Sequence, residues 1–96
     1  MPRLRWSQPA LNDIDRLHAF LVDKNREAAR RAIRAIRHGV KALASHPEIG
    51  RPVEGLQFDL REWVIEFGQG AYVVLYHYDK KEVILLAIRH GREEGY

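Results

Sequence analysis

The 96-residue sequence has no cysteine, and this absence excludes disulfide bonds and thiolate metal sites. Long apolar runs are missing too, because Val73 to Leu75 and Val83 to Ile88 fall far short of the roughly 20 residues that a membrane helix needs. The opening MPRLRWSQPA lacks the apolar segment of a signal peptide. We therefore expect a cytoplasmic protein that makes no contact with a membrane.

Motifs for metal, nucleotide and covalent chemistry are also missing. The five histidines lie at positions 18, 38, 46, 77 and 90, and no two of them are three to five residues apart. The sequence contains neither a glycine-rich phosphate loop nor the G-x-S-x-G pattern of serine hydrolases. We predict that the protein holds no metal ion and no cofactor.

The amino-acid composition is that of an ordinary globular protein. Hydrophobic residues make up 46% and charged residues 30%, which allows a packed core and argues against disorder. The length suits a single domain that covers residues 1–96. The net charge of +3 permits an acidic protein partner or a nucleic acid and requires neither.

Apolar residues at helical spacing predict two helices in the first half of the chain. Ser7 is a typical N-cap, and the first apolar stripe runs to about Lys24. Asn25 is the predicted break and the N-cap of the second helix, so the short connection should produce an antiparallel hairpin. The predicted core stripes are Ala10, Ile14, Leu17 and Leu21, then Ala29, Ala32, Ile33, Ile36, Val40 and Leu43.

The rest of the chain predicts strands. RLRW is a short first strand, Ser45 to Leu56 is a loop, and REWVIEF, AYVVLYHY and EVILLAIRH follow, separated by the turn signals GQG and DKK. The last of these is apolar at nearly every position until Arg89, which predicts a central strand. The predicted fold is α+β in the order β-α-α-β-β-β, with the helical hairpin packed on one face of a small, mostly antiparallel sheet.

A basic stripe on the second helix is the first candidate binding surface. Arg30, Arg34, Arg37 and Lys41 recur at intervals of four, three and four residues, opposite the apolar stripe. Such a row could follow a phosphate backbone, but charged helix faces are usually just solvated, and this helix has no interleaved aromatic residues. We favour the solvated face.

The C-terminal AIRHGREEGY is the second candidate. Metal-free RNA cleavage requires a base, an acid and cations that neutralise the phosphate. Residues of these types are His90, Tyr96, Arg51, Arg61 and Arg89. The alternative is structural: arginines at the strand ends pair with nearby carboxylates and hold the sheet together. The carboxylates available for this are Asp59, Glu62, Glu66, Glu93 and Glu94.

Several stretches together resemble the RelE/ParE superfamily of toxins from bacterial type II toxin–antitoxin modules. They are ALNDIDRLHAFL, REAARRAIRAI, LASHPEIGRPVEGL, REWVIEFGQGAYVVLYHY and VILLAIRHGREEGY. The resemblance covers about Arg5 to Tyr96 and implies the fold predicted above. It also implies one of two activities: RelE-like members are ribosome-dependent mRNA endoribonucleases, whereas ParE-like members poison DNA gyrase. Both are silenced by an antitoxin.

Position by position, the resemblance favours the ParE-like branch. RelE-like nucleases carry basic residues at alternate positions of the second strand and an arginine after the first tyrosine of the third, and the matching residues here are Val64, Glu66 and Val73. A carboxylate there would repel the scissile phosphate. We therefore predict a gyrase inhibitor of a plasmid-stabilisation module, not an enzyme. The alternatives are RelE-like mRNA cleavage, with Arg61, Arg89, His90 and Tyr96 as catalytic residues, and a toxin fold with weak or lost toxicity.

The partners implied by the resemblance are proteins: a cognate antitoxin and DNA gyrase, within a toxin dimer or a toxin–antitoxin hetero-oligomer. No sequence-specific contact with nucleic acid is expected. The residues predicted to contact gyrase and to cause toxicity are Arg61, Arg89, His90, Arg92 and Tyr96. The residues predicted to bind the antitoxin are Ile14, Leu17, Leu21, Trp63 and Ile65.

Overall fold

Two helices and five strands make up the described part of the fold. The computed structural model describes residues 2–55 and 59–91. None of the described helices is long and apolar enough to cross a membrane. In chain order the elements are β1 (Arg3–Trp6), α1 (Gln8–Val22), α2 (Arg26–Ser45), β2 (Arg51–Pro52), β3 (Leu60–Phe67), β4 (Gly70–Tyr78) and β5 (Glu82–His90).

Both helices begin at the residues predicted to cap them. The Ser7 hydroxyl accepts a hydrogen bond from the Ala10 N–H at 3.2 Å, and the Asn25 side chain accepts one from the Ala28 N–H at 3.0 Å. Each cap satisfies a backbone donor that the helix itself leaves without a partner. The Asn25 N–H donates to the Leu21 carbonyl at 2.9 Å, so α1 turns directly into α2 and the predicted hairpin forms.

The strands form one sheet in the order β1-β5-β4-β3-β2. β1 pairs with β5 in parallel and the other neighbours are antiparallel, so the sheet is mostly antiparallel, as predicted. β5 has a strand on each side, which confirms that it is an interior strand. The middle position, however, belongs to β4.

The segment predicted as a loop from Ser45 to Leu56 contains more structure than expected. Ser45 belongs to α2, and Arg51–Pro52 form a two-residue strand on the outer edge of β3. Proline has no N–H to contribute to a ladder, so this position suits an edge strand. Sequence periodicity misses the strand because two residues show no alternation.

The core lies between the helices and one face of the sheet. The predicted stripes of both helices are buried there, with Leu21 and Ile33 partly buried at the margin, and the cations of the basic stripe are exposed, as predicted. Gly39 brings α2 close to β3, because a Cβ at this position would lie 2.7 Å from the Ile65 side chain. The buried sheet residues of this core are Ile65, Tyr72, Val74, Tyr76, Val83, Leu85 and Ile88.

Strand alternation gives the sheet a helix-covered face and an opposite face, called here the open face. On β4 the core takes Tyr72, Val74 and Tyr76, so the residues between them, Val73 and Leu75, lie on the open face. This confirms the predicted alternation of the strand.

β5 departs from simple alternation at a β-bulge, where Leu86 is an extra residue with no register partner on β4. Leu85 and Ile88, on either side of it, are both buried in the core although three positions separate them. The residues after the bulge therefore lie on the opposite faces from those that regular alternation would give them. Arg89 lies on the open face and His90 on the helix-covered face.

α1 covers the edge of β5 beyond the end of β1. The Ile88 N–H donates to the Asp13 carboxylate at 2.8 Å, and the Arg16 guanidinium donates to the Ile88 carbonyl at 3.3 Å. β1 ends at Trp6, which is in register with Leu85, and so does not reach these groups. Two polar side chains of the helix thus take the place of a missing strand partner.

Candidate functional site

The loop from Pro47 to Gly50 is held by a buried tyrosine. Tyr76 is fully buried in the middle strand, and its hydroxyl donates to the Pro47 carbonyl and accepts from the Gly50 N–H, both at 2.9 Å. Burial raises the pKa of the Tyr76 phenol, because the ionised form would lose most of its solvation. The neutral hydroxyl therefore serves to fix the loop.

Arg61, predicted as a toxicity residue, lies under the same loop. Its Nη1 donates to the Gly50 carbonyl at 2.7 Å and to the Glu48 carbonyl at 3.0 Å. Position 50 requires glycine, since a Cβ there would lie 2.5 Å from the Tyr76 hydroxyl and 2.7 Å from the Glu62 carbonyl. The P-x-x-G-R-P motif and the arginine of REW are thus parts of one structural unit, held by backbone carbonyls rather than by glutamates.

The β4–β5 turn borders this loop. The Asp79 carboxylate accepts the N–H groups of Glu82 and Lys81 at 2.7 and 2.8 Å, and these hydrogen bonds lower the pKa of Asp79. Lys80 adopts a positive φ of 78°. Its ammonium group lies 2.9 Å from the Glu48 carboxylate, and this hydrogen bond lowers the pKa of Glu48 and raises the pKa of Lys80.

The positions where RelE-like nucleases carry cations lie on the open face. Val64 and Val73 are register partners across β3 and β4, and Arg89 pairs with Val73 from β5. Val64 is 49% exposed, so its isopropyl group faces the solvent where a nuclease would present a cation. Glu66 is exposed opposite Ala71. This row of the open face therefore contains one partly buried guanidinium, an exposed valine, a buried valine and an exposed carboxylate.

The guanidinium of Arg89 faces Glu62. One carboxylate oxygen of Glu62 lies 3.8 Å from Arg89 Nη2, and the other lies 2.9 Å from Arg51 Nη2. The side chains of Glu62 and Arg89 are only 11% and 20% exposed, so little water screens their attraction. Glu62 thus stands between two cations and offsets part of their positive charge.

His90 lies on the other side of the sheet from Arg89. Its ring packs edge-on against Tyr72, with 5.4 Å between ring centroids. Arg61 is also on this side, but it pairs with Tyr76, four residues further along β4 and roughly 13 Å away at strand spacing. The structure therefore does not bring these three predicted residues together around one phosphate. Arg92 and Tyr96, the other two predicted toxicity residues, lie outside the described residues.

An apolar groove of about 730 Å³ lies beside His90, where α1 meets the β3–β4 hairpin. Its most prominent side chain is Phe20, which is 61% exposed. Sequence analysis missed Phe20 because it lies off the apolar stripe of α1 and its neighbours Ala19, Leu21 and Val22 are themselves apolar, so nothing in the sequence marks it as exposed. The other lining side chains include Arg16, Leu17, Leu21, Phe67 and Tyr72.

The residues predicted to bind an antitoxin divide into core and margin. Ile14, Leu17 and Ile65 are buried in the core, and of these three Leu17 also lines the apolar groove. Leu21 is partly buried and lines the apolar groove. Trp63 is also partly buried, and its indole N–H donates at 3.1 Å to a backbone carbonyl of α2.

Within residues 2–55 and 59–91, no three histidine, aspartate or glutamate side chains form a group that could hold a metal ion. The fold and these surfaces define a class of small two-layer α+β protein. In the described part of this chain, a helical hairpin packs on one face of the sheet and no helix covers the other face.

Comparison with known proteins identifies the family to which the chain belongs. Residues 4–95 match the family described as "ParE toxin of type II toxin-antitoxin system, parDE". "Toxin RelE3" of Caulobacter vibrioides is 32% identical over 84 residues, and "Toxin RelE1" of the same organism is 34% identical over 85 residues. Each alignment spans 88% of both chains. This chain belongs to the ParE toxin family of type II toxin–antitoxin systems.

A solved structure supports the same grouping. The structure "Chromosomal ParDE TA system from P. aeruginosa" superposes with a TM-score of 0.77 at 26% identity, over 94% of this chain and 96% of that one. The predicted resemblance to the RelE/ParE superfamily and the predicted fold are therefore confirmed. The names do not separate the two branches, because the family is called ParE and the relatives are called RelE.

Proposed function

We propose that this type II toxin acts by inhibiting DNA gyrase and that it does so by binding, without a chemical step of its own. The observation that carries the proposal is the composition of the open face. Val64, Glu66 and Val73 occupy the positions where the nuclease branch carries phosphate-binding cations. A surface of this kind suits contact with a protein better than cleavage of RNA.

Transition-state chemistry supports this choice. RNA cleavage builds negative charge on the phosphate oxygens, and removing one preorganised donor from such a site typically costs about 3 kcal/mol of transition-state stabilisation. Here Arg89 and Arg51 share the carboxylate of Glu62, which reduces the positive potential of the open face. His90 faces the opposite side of the sheet, so it is poorly placed to exchange a proton with a phosphate bound at Arg89.

The second candidate function is ribosome-dependent mRNA cleavage. The names of the two Caulobacter relatives favour it, since both are called RelE toxins. In that case Arg61, Arg89, His90 and Tyr96 are the residues expected to bind the phosphate and move protons.

A paired assay separates the two functions. Purified toxin is added to a DNA supercoiling reaction with gyrase and, in parallel, to a translating ribosome extract. We expect loss of supercoiling with mRNA intact and, in cells, stabilised gyrase–DNA cleavage complexes, filamentation and an SOS response before translation falls. Prompt mRNA cleavage in the ribosomal A site, abolished by His90→Ala or Tyr96→Phe, would overturn the gyrase proposal.

A cognate antitoxin is the partner that membership in this family supports, and the structural neighbour is itself a ParDE system. We place its contact at the apolar groove around Phe20, because this is an exposed aromatic side chain beside a partly buried apolar surface. Co-expression with the neighbouring gene should rescue growth and yield a co-purified complex. A cytoplasmic location and a toxin–antitoxin hetero-oligomer are part of the same proposal.

A further inference from the structure

A second groove, of about 840 Å³, runs along the outer side of the helical hairpin between α1 and α2. The basic stripe seen in the sequence forms its wall, extended by one residue at the start of α2. Arg26 and Lys41, at the two ends of this row, are fifteen residues apart, a length of about 22 Å at helical rise. The cations that line the groove are Arg26, Arg30, Arg34, Arg37 and Lys41.

The charge of this groove is not balanced by neighbouring carboxylates. No aspartate or glutamate is among the lining side chains. Among the described residues, no ion pair joins any cation of the row to a carboxylate, and Arg37 instead stacks over Trp6 at 5.6 Å. Outside the groove, six described cations are ion-paired and four are not; the pairs are Arg5–Glu82, Arg16–Asp13, Arg31–Glu27, Arg51–Glu62, Lys80–Glu48 and Arg89–Glu62. Of the arginines and lysines that the structure describes, nine have no ion pair, and five of these nine line this one groove.

Only two of the nine described residues that line the groove are apolar. Val22 and Ile33 line it, and both are partly buried. An amphipathic helix that docks into a groove needs a row of pockets for its apolar anchors. The large apolar side chains that are exposed, Leu11, Phe20, Ile49 and Val64, all lie outside this groove. Binding here must depend on charge, which favours a polyanion with regularly spaced charges over a protein helix.

We propose that this groove binds the phosphate backbone of duplex nucleic acid without reading its sequence. A row of about 22 Å spans roughly six base pairs at 3.4 Å each. No Phe, Tyr or Trp is among the described side chains that line the groove, and bases inside a duplex are not exposed for stacking, so contacts are limited to phosphates and are the same for any sequence. This activity is separate from inhibition of gyrase and can be tested whatever the toxin's target is.

The test is fluorescence anisotropy with the full-length toxin and two labelled 20-base-pair DNA duplexes of unrelated sequence, titrated at several salt concentrations. The test variant is Arg30→Gln with Arg34→Gln. The control variant, Arg3→Gln with Lys81→Gln, removes the same charge from exposed positions outside the groove. Melting temperatures establish that all three proteins are folded, and Arg26→Gln with Lys41→Gln replaces the test pair if that pair does not fold.

We expect both duplexes to bind equally, with log K falling against log salt at a slope of about −4.5 if the five cations each engage a phosphate. In the test variant the slope should be less steep by roughly 2, and binding should be weaker on the order of tenfold or more at 0.1 M salt. In the control variant the slope and the affinity should change little. No binding at low salt, or equal losses in test and control variants, overturns the proposal. So does a test variant that keeps duplex binding but no longer co-purifies with the antitoxin, because the groove is then a protein-docking surface.

Discussion

The hydroxyl of Tyr76 satisfies a carbonyl and an N–H of the same short loop from a strand that is otherwise apolar at its core-facing positions. Pro47 and Gly50 are thereby fixed against the middle of the sheet. Phenylalanine would fill the same space but would leave both backbone groups buried without a partner. At this position the hydroxyl, rather than the ring, connects the loop to the fold.

Tyr76→Phe should lower the free energy of unfolding by about 1–3 kcal/mol, the usual cost of leaving buried hydrogen-bonding groups without partners. Chemical denaturation followed by circular dichroism measures the loss. Tyr78→Phe is the matched control, because Tyr78 lies on the same strand and the same face but is only partly buried. Equal losses in the two variants would show that the loop contacts of Tyr76 contribute nothing specific.

The raised pKa of Tyr76 predicts a loss of stability at alkaline pH. The phenol ionises near pH 10 in the unfolded chain and at higher pH in the folded one, so above about pH 10 the folded state holds the extra proton. The stabilisation is complete below that pH and is lost as the pH rises through the folded pKa. Unfolding free energies measured from about pH 8 to 11 should fall more steeply for the wild type than for Tyr76→Phe. Parallel curves would contradict the assignment.

Arg61 and Arg89 should respond differently to truncation. Arg61→Ala removes donors to two loop carbonyls and should lower the melting temperature. Arg89→Ala leaves the largely buried Glu62 paired with Arg51, so it should cost no more than about 1.5–3 kcal/mol while it reduces toxicity in growth assays. A large stability loss for Arg89→Ala would instead assign this arginine to holding the sheet.

The candidate site could be predicted from sequence only as a set of residue types. Arg61, Arg89 and His90 were identified as cations and proton carriers, but their partners depend on non-local contacts. Arg61 binds a loop that precedes it by eleven to thirteen residues. The faces of Arg89 and His90 depend on a bulge that periodicity does not show.

At the scale of elements, α1 is tied to the sheet edge by polar side chains as well as by its apolar stripe. Asp13 accepts the Ile88 N–H that β1 is too short to reach. Asp13→Ala should therefore cost about 1–2 kcal/mol. It should also speed hydrogen exchange at the Ile88 amide, which can be measured by NMR. Asp15→Ala, two residues away at an exposed position, should change neither quantity, and a similar effect from it would exclude a specific role for Asp13.

Elements were predicted well where their signals are local. Caps at Ser7 and Asn25, the helical stripes and the alternation of β4 all follow from residues close together in sequence. Two features depend on distant segments: the pairing of β1 with β5 and the two-residue β2. Neither leaves a pattern within its own few residues.

At the scale of the whole molecule, the apolar groove around Phe20 provides a test of antitoxin binding. Phe20→Ser should weaken the complex tenfold or more, as expected for an exposed aromatic anchor, and should leave the melting temperature unchanged. Leu11→Ser is the control, since Leu11 is 38% exposed on the same helix but does not line the groove. Binding is measured by titration with purified antitoxin. Undiminished affinity of the Phe20 variant would place the antitoxin elsewhere.

The bulge at Leu86 adds one residue to β5, so the residues after it lie on the opposite faces from those that regular alternation would give them. If β5 had the same sequence but no bulge, the alternation set by Val83 and Leu85 would continue through Leu86, and Arg89 would point towards the helices while His90 pointed towards the open face. Deleting Leu86 should therefore remove the bulge and give a regular strand in which Arg89 stays on the open face and His90 stays on the helix-covered face. In this protein the bulge, and not the spacing of the residues alone, decides that a guanidinium rather than an imidazole lies on the open face.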